Sequence, residues 1–480
     1  MTHDARPVTQ RRRWRALVAG VALSALAVFP AAARVFDPET FTLKNGMQVV
    51  VVNNPRAPVV SHMVWYKVGS ADEEPGKSGL AHYLEHLMFK GTAKMKPSEF
   101  SRTVARNGGR DNAFTAYDYT AYFENIARDR LELVMGMEAD RMVNLRLTDD
   151  IVLPERKVIQ EERRQRTENE PASRLYEQLY SLLFVHHPYG TPIIGWMHEI
   201  EKLTTQDALD FYKRHYAPNN AILVVAGDIT AAELKPLAEK TYGKIKPSKD
   251  IPARVRVTEP PTEGARRITL TDDQVRQPNW MRIWKAPSYS AGEKQYASAL
   301  EVLESILADG ATSRLYKSLV VEQKIAAGVN LSYNPNALDL GTLSVSATPA
   351  PGQDVAAVEK ALDAELAKLL SGGVTDAEVA SAKVRLRRDA VFARDSLQGP
   401  AYAFGVALTT GQTVEDVEAW PDRIAAVTRE QVEQAAKLVL GQDNHVTGIL
   451  LPAAAPAPAQ AAAPAAPPAA PTTPAKGGTK

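Results

Sequence analysis

The sequence predicts an α+β protein made of two homologous sandwich domains, each a sheet packed with helices. Three observations lead to that class. The stretches "IEKLTTQDALDFYKRHYAPNNAILVV" and "IAAVTREQVEQAAKLVLGQDNHVTGIL" pair Ile200 with Ile424, Thr204 with Thr428 and Asn220 with Asn444, always 224 residues apart. Constant spacing over a helix, a turn and a strand is the trace of a duplicated unit. Apolar runs of strand period alternate with runs of helical period. At 480 residues, 45% hydrophobic and 24% charged, the chain is long and apolar enough for two or three cores.

In the first copy, "GMQVVVVNN" and "VVSHMVWYKVGS" read as strands and Leu80 to Met88 as a helix. Ser78 is its expected cap, Leu84, Leu87 and Met88 form its apolar stripe, and Gly91 is its stop. "DNAFTAYDYTAYFENI" alternates as strands do, and helices are expected over Leu131 to Asn144 and Pro154 to Arg166. In each copy a Thr, 204 or 428, stands at an N-cap with Gln206 or Glu430 close behind, followed by an amphipathic helix. The closing strands are Ala221 to Ala226 and Val446 to Leu451. A weaker match 219 residues apart sets Glu301 opposite His82 and Ser305 opposite His86, so the second copy has lost the histidines.

The ends and the middle differ in composition. Residues 1–33 carry Arg11-Arg12-Arg13-Trp14-Arg15, an apolar run to Pro30 and Ala31-Ala32-Ala33, the pattern of an export signal cut after Ala33, with an uncleaved anchor as the alternative. Residues 452–480 are almost wholly Ala, Pro, Thr and Gly and read as a flexible tail. The Pro- and charge-rich stretch 246–262 reads as a linker between a domain over 34–245 and a second over 263–451.

A formal charge of +1 offers no field for nucleic acid, and loss of residues 1–33, with five Arg and one Asp, leaves −3. With no cysteine, disulfides, thiolate metal sites, a cysteine nucleophile and a lipidated anchor are all excluded. A soluble bacterial periplasmic protein, free of the membrane after cleavage, is the expected location.

The chemistry concentrates in His82-Tyr-Leu-Glu85-His86. One turn apart on a helix, the two imidazoles can reach one ion at about 2.0–2.1 Å, with Glu85 on the same edge. A catalytic zinc needs a third protein ligand, and without cysteine it must be His, Asp or Glu. The segment "LPERKVIQEERRQRTENEP" offers Glu155 and Glu162, seven apart and nearly on one helical face, with Glu161 and Glu168 in reserve. Taken alone, it also reads as a solvated charged helix. The remaining histidines His186, His187, His198 and His215 are expected at turns and helix ends.

The order His-x-x-Glu-His is that of the inverted zincins. Together with "LKNGMQVVVV", "GSADEEPGKSGLAHYLEHLMFKGT", "GGRDNAFTAYDYTAYF", "ERKVIQEE", "HPYGTPIIG" and "YAPNNAILVVAGDI", it resembles the pitrilysin and insulinase family of zinc metallopeptidases. The likeness is to half-length periplasmic members and to the β subunit of the mitochondrial processing peptidase. It implies antiparallel-rich sheets, one Zn2+ per chain held by His82, His86 and Glu162 (76 positions after His86), Glu85 as general base, and Glu155 as an acid beside the histidines. It also implies that Asn112, Ala113 and Phe114 belong to an edge strand that pairs with an extended peptide.

Such half-length members work in pairs, a later domain supplying an Arg and a Tyr to the peptide. The matching strand here has Ser344; Tyr333, Tyr402, Arg314 and Arg394 are the other candidates, and none fits the pattern. The expectation is a zinc endopeptidase or oligopeptidase forming the zinc-bearing half of a heterodimer, a homodimer being possible. The alternatives are a non-catalytic scaffold subunit of the same fold and a periplasmic peptide-binding protein.

Overall fold

Val49 to Val52 contains no polar side chain, and it becomes a strand whose residues are buried on both faces. The computed structural model describes residues 35–453, so the expected signal and all but the first two residues of the expected tail lie outside the described residues. Those two do not start a tail: Pro452 closes a strand and the Ala453 amide donates to the Asp272 carbonyl.

The first sheet is built from β1 (Glu39–Thr42), β2 (Gln48–Asn53), β3 (Val59–Tyr66), β4 (Arg110–Thr115), β5 (Thr120–Ala127) and β6 (Ala221–Gly227), in the order β1, β2, β6, β3, β5, β4. The second is built from β7 (Arg266–Asp272), β8 (Asn279–Ala286), β9 (Ala326–Tyr333), β10 (Gly341–Pro349) and β11 (Val446–Pro452), in the order β7, β11, β8, β10, β9. In each sheet the last strand, β6 or β11, lies parallel to one neighbour and antiparallel to the other, and every other pairing is antiparallel. The duplication expected from the 224-residue spacing is therefore a duplication of topology.

The helices before β6 and β11, Thr205–His215 and Arg429–Leu440, start at the expected threonines. Their reciprocal partners are Asp207 and Gln431, at the third helical position, rather than Gln206 and Glu430, because only that position reaches back to the cap amide. Two other expectations shift. The expected helix from Pro154 runs instead over Asp149–Arg163, starting directly after Thr148, with Pro154 in its sixth position; a π turn, Arg164–Glu168, follows. The ring costs one helical hydrogen bond there, and the helix continues through it. Ser78 does not cap the helix Leu80–Leu87; its Oγ accepts from the Trp196 amide at 2.8 Å.

Each half lends a helix to the other. The helix Gly399–Thr409 lies across the first sheet, where Ala401, Phe404, Val406 and Leu408 pack on Val50, Val52, Trp65, Ile222 and Val224. The helix Pro171–Leu183 does the same for the second sheet, setting Leu175, Leu179 and Leu183 against Ile283, Val446 and Leu450. Both contacts need a missing side chain: a Cβ on Gly405 would stand 1.9 Å from Trp65 Cε2, and one on Gly448 2.7 Å from Leu179 Cδ1. The first sheet is thus covered on both faces, which is why every residue of β6 is buried.

Beneath the first sheet lies a closed polar cluster. His62 Nδ1 meets Glu124 Oε2 at 2.6 Å and His62 Nε2 meets the Tyr242 hydroxyl at 2.8 Å. Arg141, 1% exposed, donates to Glu124 Oε1 at 3.3 Å and to Glu138, and its guanidinium stacks 3.9 Å from the Phe100 ring and 4.6 Å from that of Tyr122. Burial raises the Glu138 carboxyl above its usual range.

Candidate metal centre

The helix Leu80–Leu87 begins at Gly79, whose φ of +86° and lack of a Cβ let the backbone approach Ile194. Its free N-terminal amides are taken by Glu73, which accepts from Gly79 N at 2.9 Å and Ala81 N at 2.7 Å. Leu84, Leu87 and Met88 are buried as expected, and this fixes the opposite edge. That edge carries His82 and Glu85, buried at 7% and 9% exposure, and the half-buried His86. The Asp149–Arg163 helix lies alongside and is anchored at its end by Arg163, which donates to both oxygens of Glu177 at 2.9 and 3.0 Å and to the Gly195 carbonyl at 2.7 Å.

Glu162 reaches both histidines. Its Oε2 stands 3.3 Å from His86 Nε2 and 3.8 Å from His82 Nε2, while Arg166 holds the other oxygen at 2.7 Å. Ligand atoms placed tetrahedrally at about 2.0–2.1 Å from one ion lie roughly 3.3 Å apart, so this spacing matches a shared ion. Among the described residues these three are the one group of His, Cys, Asp or Glu whose ligand atoms all fall within 4.8 Å of one another. Two imidazoles and a carboxylate, with a fourth position open, fit a zinc ion.

The proton inventory is consistent with that. Burial and the neighbouring His86 push His82 down to about 4, leaving it neutral, the form that ligates. Burial also opposes charge on His86, but hydrogen bonds with Glu155 and Glu162 outweigh it and lift His86 to about 9. Near neutrality the pair carries one proton more than two neutral imidazoles, which a cation would displace.

Glu155 accepts from His86 Nδ1 at 3.0 Å and pairs with Lys90 Nζ at 2.5 Å, which orients the ring so that Nε2 faces Glu162. His82 Nδ1 is buried without such a partner. Glu161 points to solvent with Arg164 and Gln165, and Glu168 pairs with Arg163 at 3.6 Å, so neither reserve residue comes to the centre.

The structure adds a contact that no motif announced. Thr115 Oγ1 donates to Glu85 Oε2 at 2.5 Å, joining the last residue of β4 to the acid between the histidines. Burial raises the Glu85 carboxyl, and this hydrogen bond works against the rise. Strand alternation held the clue, since Thr115 shares a face with Ala113 and Phe114 takes the other. Phe114 indeed packs away from the centre, 5.3 Å from Trp65 and 5.7 Å from Tyr402 between ring centroids. Among the described residues β4 pairs only with β5 and forms the edge of its sheet, and the Ala113 amide is held by its neighbour Asn112 Oδ1 at 2.9 Å. Lys90 and Glu73 were likewise missed, each lying just outside the helix it serves.

The other histidines serve structure. His187 Nδ1 accepts from the Tyr189 amide, His215 ends a helix and is pushed down to about 4 by burial, His198 is exposed, and the His186 amide donates to Glu259.

The opposite copy has been rebuilt. Glu301, in the place of His82, accepts from the Tyr289 hydroxyl and, at 3.0 Å, from Trp420 Nε1. Ser305, in the place of His86, is bound by Arg385. Burial lifts Glu301 to about 7 despite those two donors, and lifts Glu304 to about 7 as well. A carboxyl that binds its proton more tightly in the folded chain stabilises most at low pH and loses that contribution as pH climbs from its ordinary 4.5 through 7. Glu301→Gln is therefore expected to lessen the decline in denaturant stability across that window; an unchanged slope would contradict it.

A chain of two such sandwiches, with an inverted His-x-x-Glu-His helix set against a glutamate, has a metallopeptidase-type fold. Residues 48–196 match the family model described as insulinase (peptidase family M16), and residues 202–386 the model described as peptidase M16 inactive domain. The chain is 36% identical over 355 residues to the zinc protease PqqE of Helicobacter pylori, covering 73% of this chain and 79% of PqqE. It matches the crystal structure of a protease from Helicobacter pylori with a TM-score of 0.81 at 32% identity, over 86% of this chain and 99% of that one. It shares the fold of the periplasmic protease PqqL from Escherichia coli, TM-score 0.73 at 21% identity, and spans 47% of that chain. The protein belongs to the insulinase family, peptidase family M16, as a half-length member.

Proposed function

We propose that the chain is a zinc-dependent endopeptidase or oligopeptidase acting on extended peptides. The observation that carries the reading is the Thr115–Glu85 hydrogen bond: it sets an edge strand able to pair with a peptide against the acid beside His82, His86 and Glu162. A zinc ion held by those three residues supplies Lewis-acid polarisation of the peptide carbonyl and acidifies water. Glu85 takes the proton of the attacking water on the oxygen that Thr115 leaves free, then delivers it to the leaving amine. Thr115 fixes the carboxylate, and Glu155 with Lys90 holds the His86 ring. The outer side of β4, at Asn112, Ala113 and Phe114, pairs with the substrate backbone, so cleavage depends on extended conformation more than on side chains.

We further infer that it works as the zinc-bearing half of a pair, exported to the periplasm. Arg314 is engaged by both oxygens of Glu378 and the Tyr333 hydroxyl by the Pro287 carbonyl, which supports a partner as the source of an Arg and a Tyr. A scaffold subunit or a peptide-binding protein has no use for Glu85 against the edge strand.

The test is zinc stoichiometry of the purified chain, with chelator-sensitive cleavage of a peptide library, alone and with a second half-length subunit. One zinc per chain and cleavage strongly enhanced by the partner are expected. Zinc without cleavage under either condition would leave the binding reading, and full activity of the isolated chain would refute the pairing.

A further inference from the structure

Residues 246–262 have a linker's composition and contain no helix or strand, yet their two arginines are tightly held. Arg256, its side chain 6% exposed, donates Nη1 to Asp72 Oδ1 at 2.6 Å and Nη2 to Asp118 Oδ1 at 2.8 Å. Arg254 donates to the Asp118 carbonyl at 2.5 Å and to the Thr409 carbonyl at 2.7 Å.

Both carboxylates sit at telling places. Asp118 lies in the turn between β4 and β5, and its other oxygen accepts from the Tyr189 hydroxyl at 2.6 Å and from the Leu338 amide of the second half at 3.0 Å. Asp72 lies in the loop that leads to the Leu80–Leu87 helix, beside Glu73, which caps that helix. The loop is laced to the same hairpin: Ser70 N donates to the Ala116 carbonyl at 3.0 Å and Ala71 N to that of Tyr117 at 2.9 Å. One guanidinium thus closes a circuit through the edge hairpin, the approach to the histidine helix and the second half.

We propose that Arg256 and Asp118 are positioning residues that hold the peptide-docking edge β4 and the histidine helix in one fixed relation across the two halves. An edge strand is supported from one side, so its anchored turn is what resists local opening. The planar fork of an arginine spans two carboxylates at once, which a lysine cannot do. Misplacing a docking strand by about 1 Å relative to the reacting groups is enough to cost large factors in rate. The effect on cleavage rests on the peptidase reading above, while the coupling of the two segments does not.

The experiment uses the zinc-loaded full chain and the variants Arg256→Met, Arg256→Lys, Asp118→Asn and the double variant Arg256→Met with Asp118→Asn. Hydrogen exchange is expected to quicken at least tenfold in residues 69–72 and 110–115 of the Met and Asn variants, with β2 and β6 unchanged and the Lys variant intermediate. The double variant should exchange no faster than the faster single one, because Arg256→Met already removes the Arg256–Asp118 link that Asp118→Asn breaks. On an extended peptide KM should rise more than kcat falls, with zinc stoichiometry unaltered. Wild-type exchange in those two segments, or acceleration spread evenly over both sheets, overturns the proposal. A wild-type chain that cleaves no peptide, alone or with a second half-length subunit, defeats the peptidase reading instead, and the exchange result still decides this one.

Discussion

Glu85→Gln is expected to keep one zinc per chain and to lose peptide hydrolysis by about 10²–10⁴-fold, the range supplied by a positioned general base. The amide has the shape of the carboxylate and still accepts the Thr115 hydroxyl, so the 2.5 Å contact and the edge strand stay in place. What it cannot do is take a proton from water and return it to the leaving amine. His82→Ala is expected to lose zinc and activity together, because it removes one of three donors whose separations allow a shared ion. Metal analysis and a peptide assay on both variants separate the roles; a Glu85→Gln protein that cleaves normally removes Glu85 from the reaction.

Arg141→Met is expected to destabilise the fold by about 3–5 kcal/mol, the usual result of deleting one partner of a buried ion pair. Met roughly keeps the volume among Phe89, Phe100 and Tyr122 but leaves Glu124 and Glu138, both 0% exposed, without their cation. His62 remains on Glu124, so Glu138 carries the larger loss. Adding Glu138→Leu should restore much of the stability, since replacing a whole buried pair by apolar groups is often neutral. Denaturant unfolding of the single and double variants checks both statements. A single variant as stable as wild type would mean that the cluster gains nothing from its charge.

What could be read from the sequence was what is local. His82, Glu85 and His86 share one helix, and their spacing alone sets two imidazoles and an acid on one edge. Glu162 is another matter: it reaches the histidines only because two helices pack side by side, and family likeness rather than periodicity sets it apart from Glu155. Pro154 misleads because proline usually opens a helix, whereas here the residues from Asp149 onward have already started one. Residues 246–262 read as a linker because the partners of Arg254 and Arg256, Asp72 and Asp118, stand far away in sequence. The helix Gly399–Thr409 has no charged residue, yet nothing in its sequence says against which sheet it packs.

That last helix also sets a clock. All strands of the first sheet are complete by Gly227, but Val50, Val52, Trp65, Ile222 and Val224 stay uncovered until residue 409 has been made. At about 5–20 residues per second, synthesis of the intervening chain takes on the order of 10–40 s. During that interval the nascent first half presents an apolar sheet face to its surroundings, and the arrival of one late helix, rather than the forming of any strand, ends its exposure to aggregation.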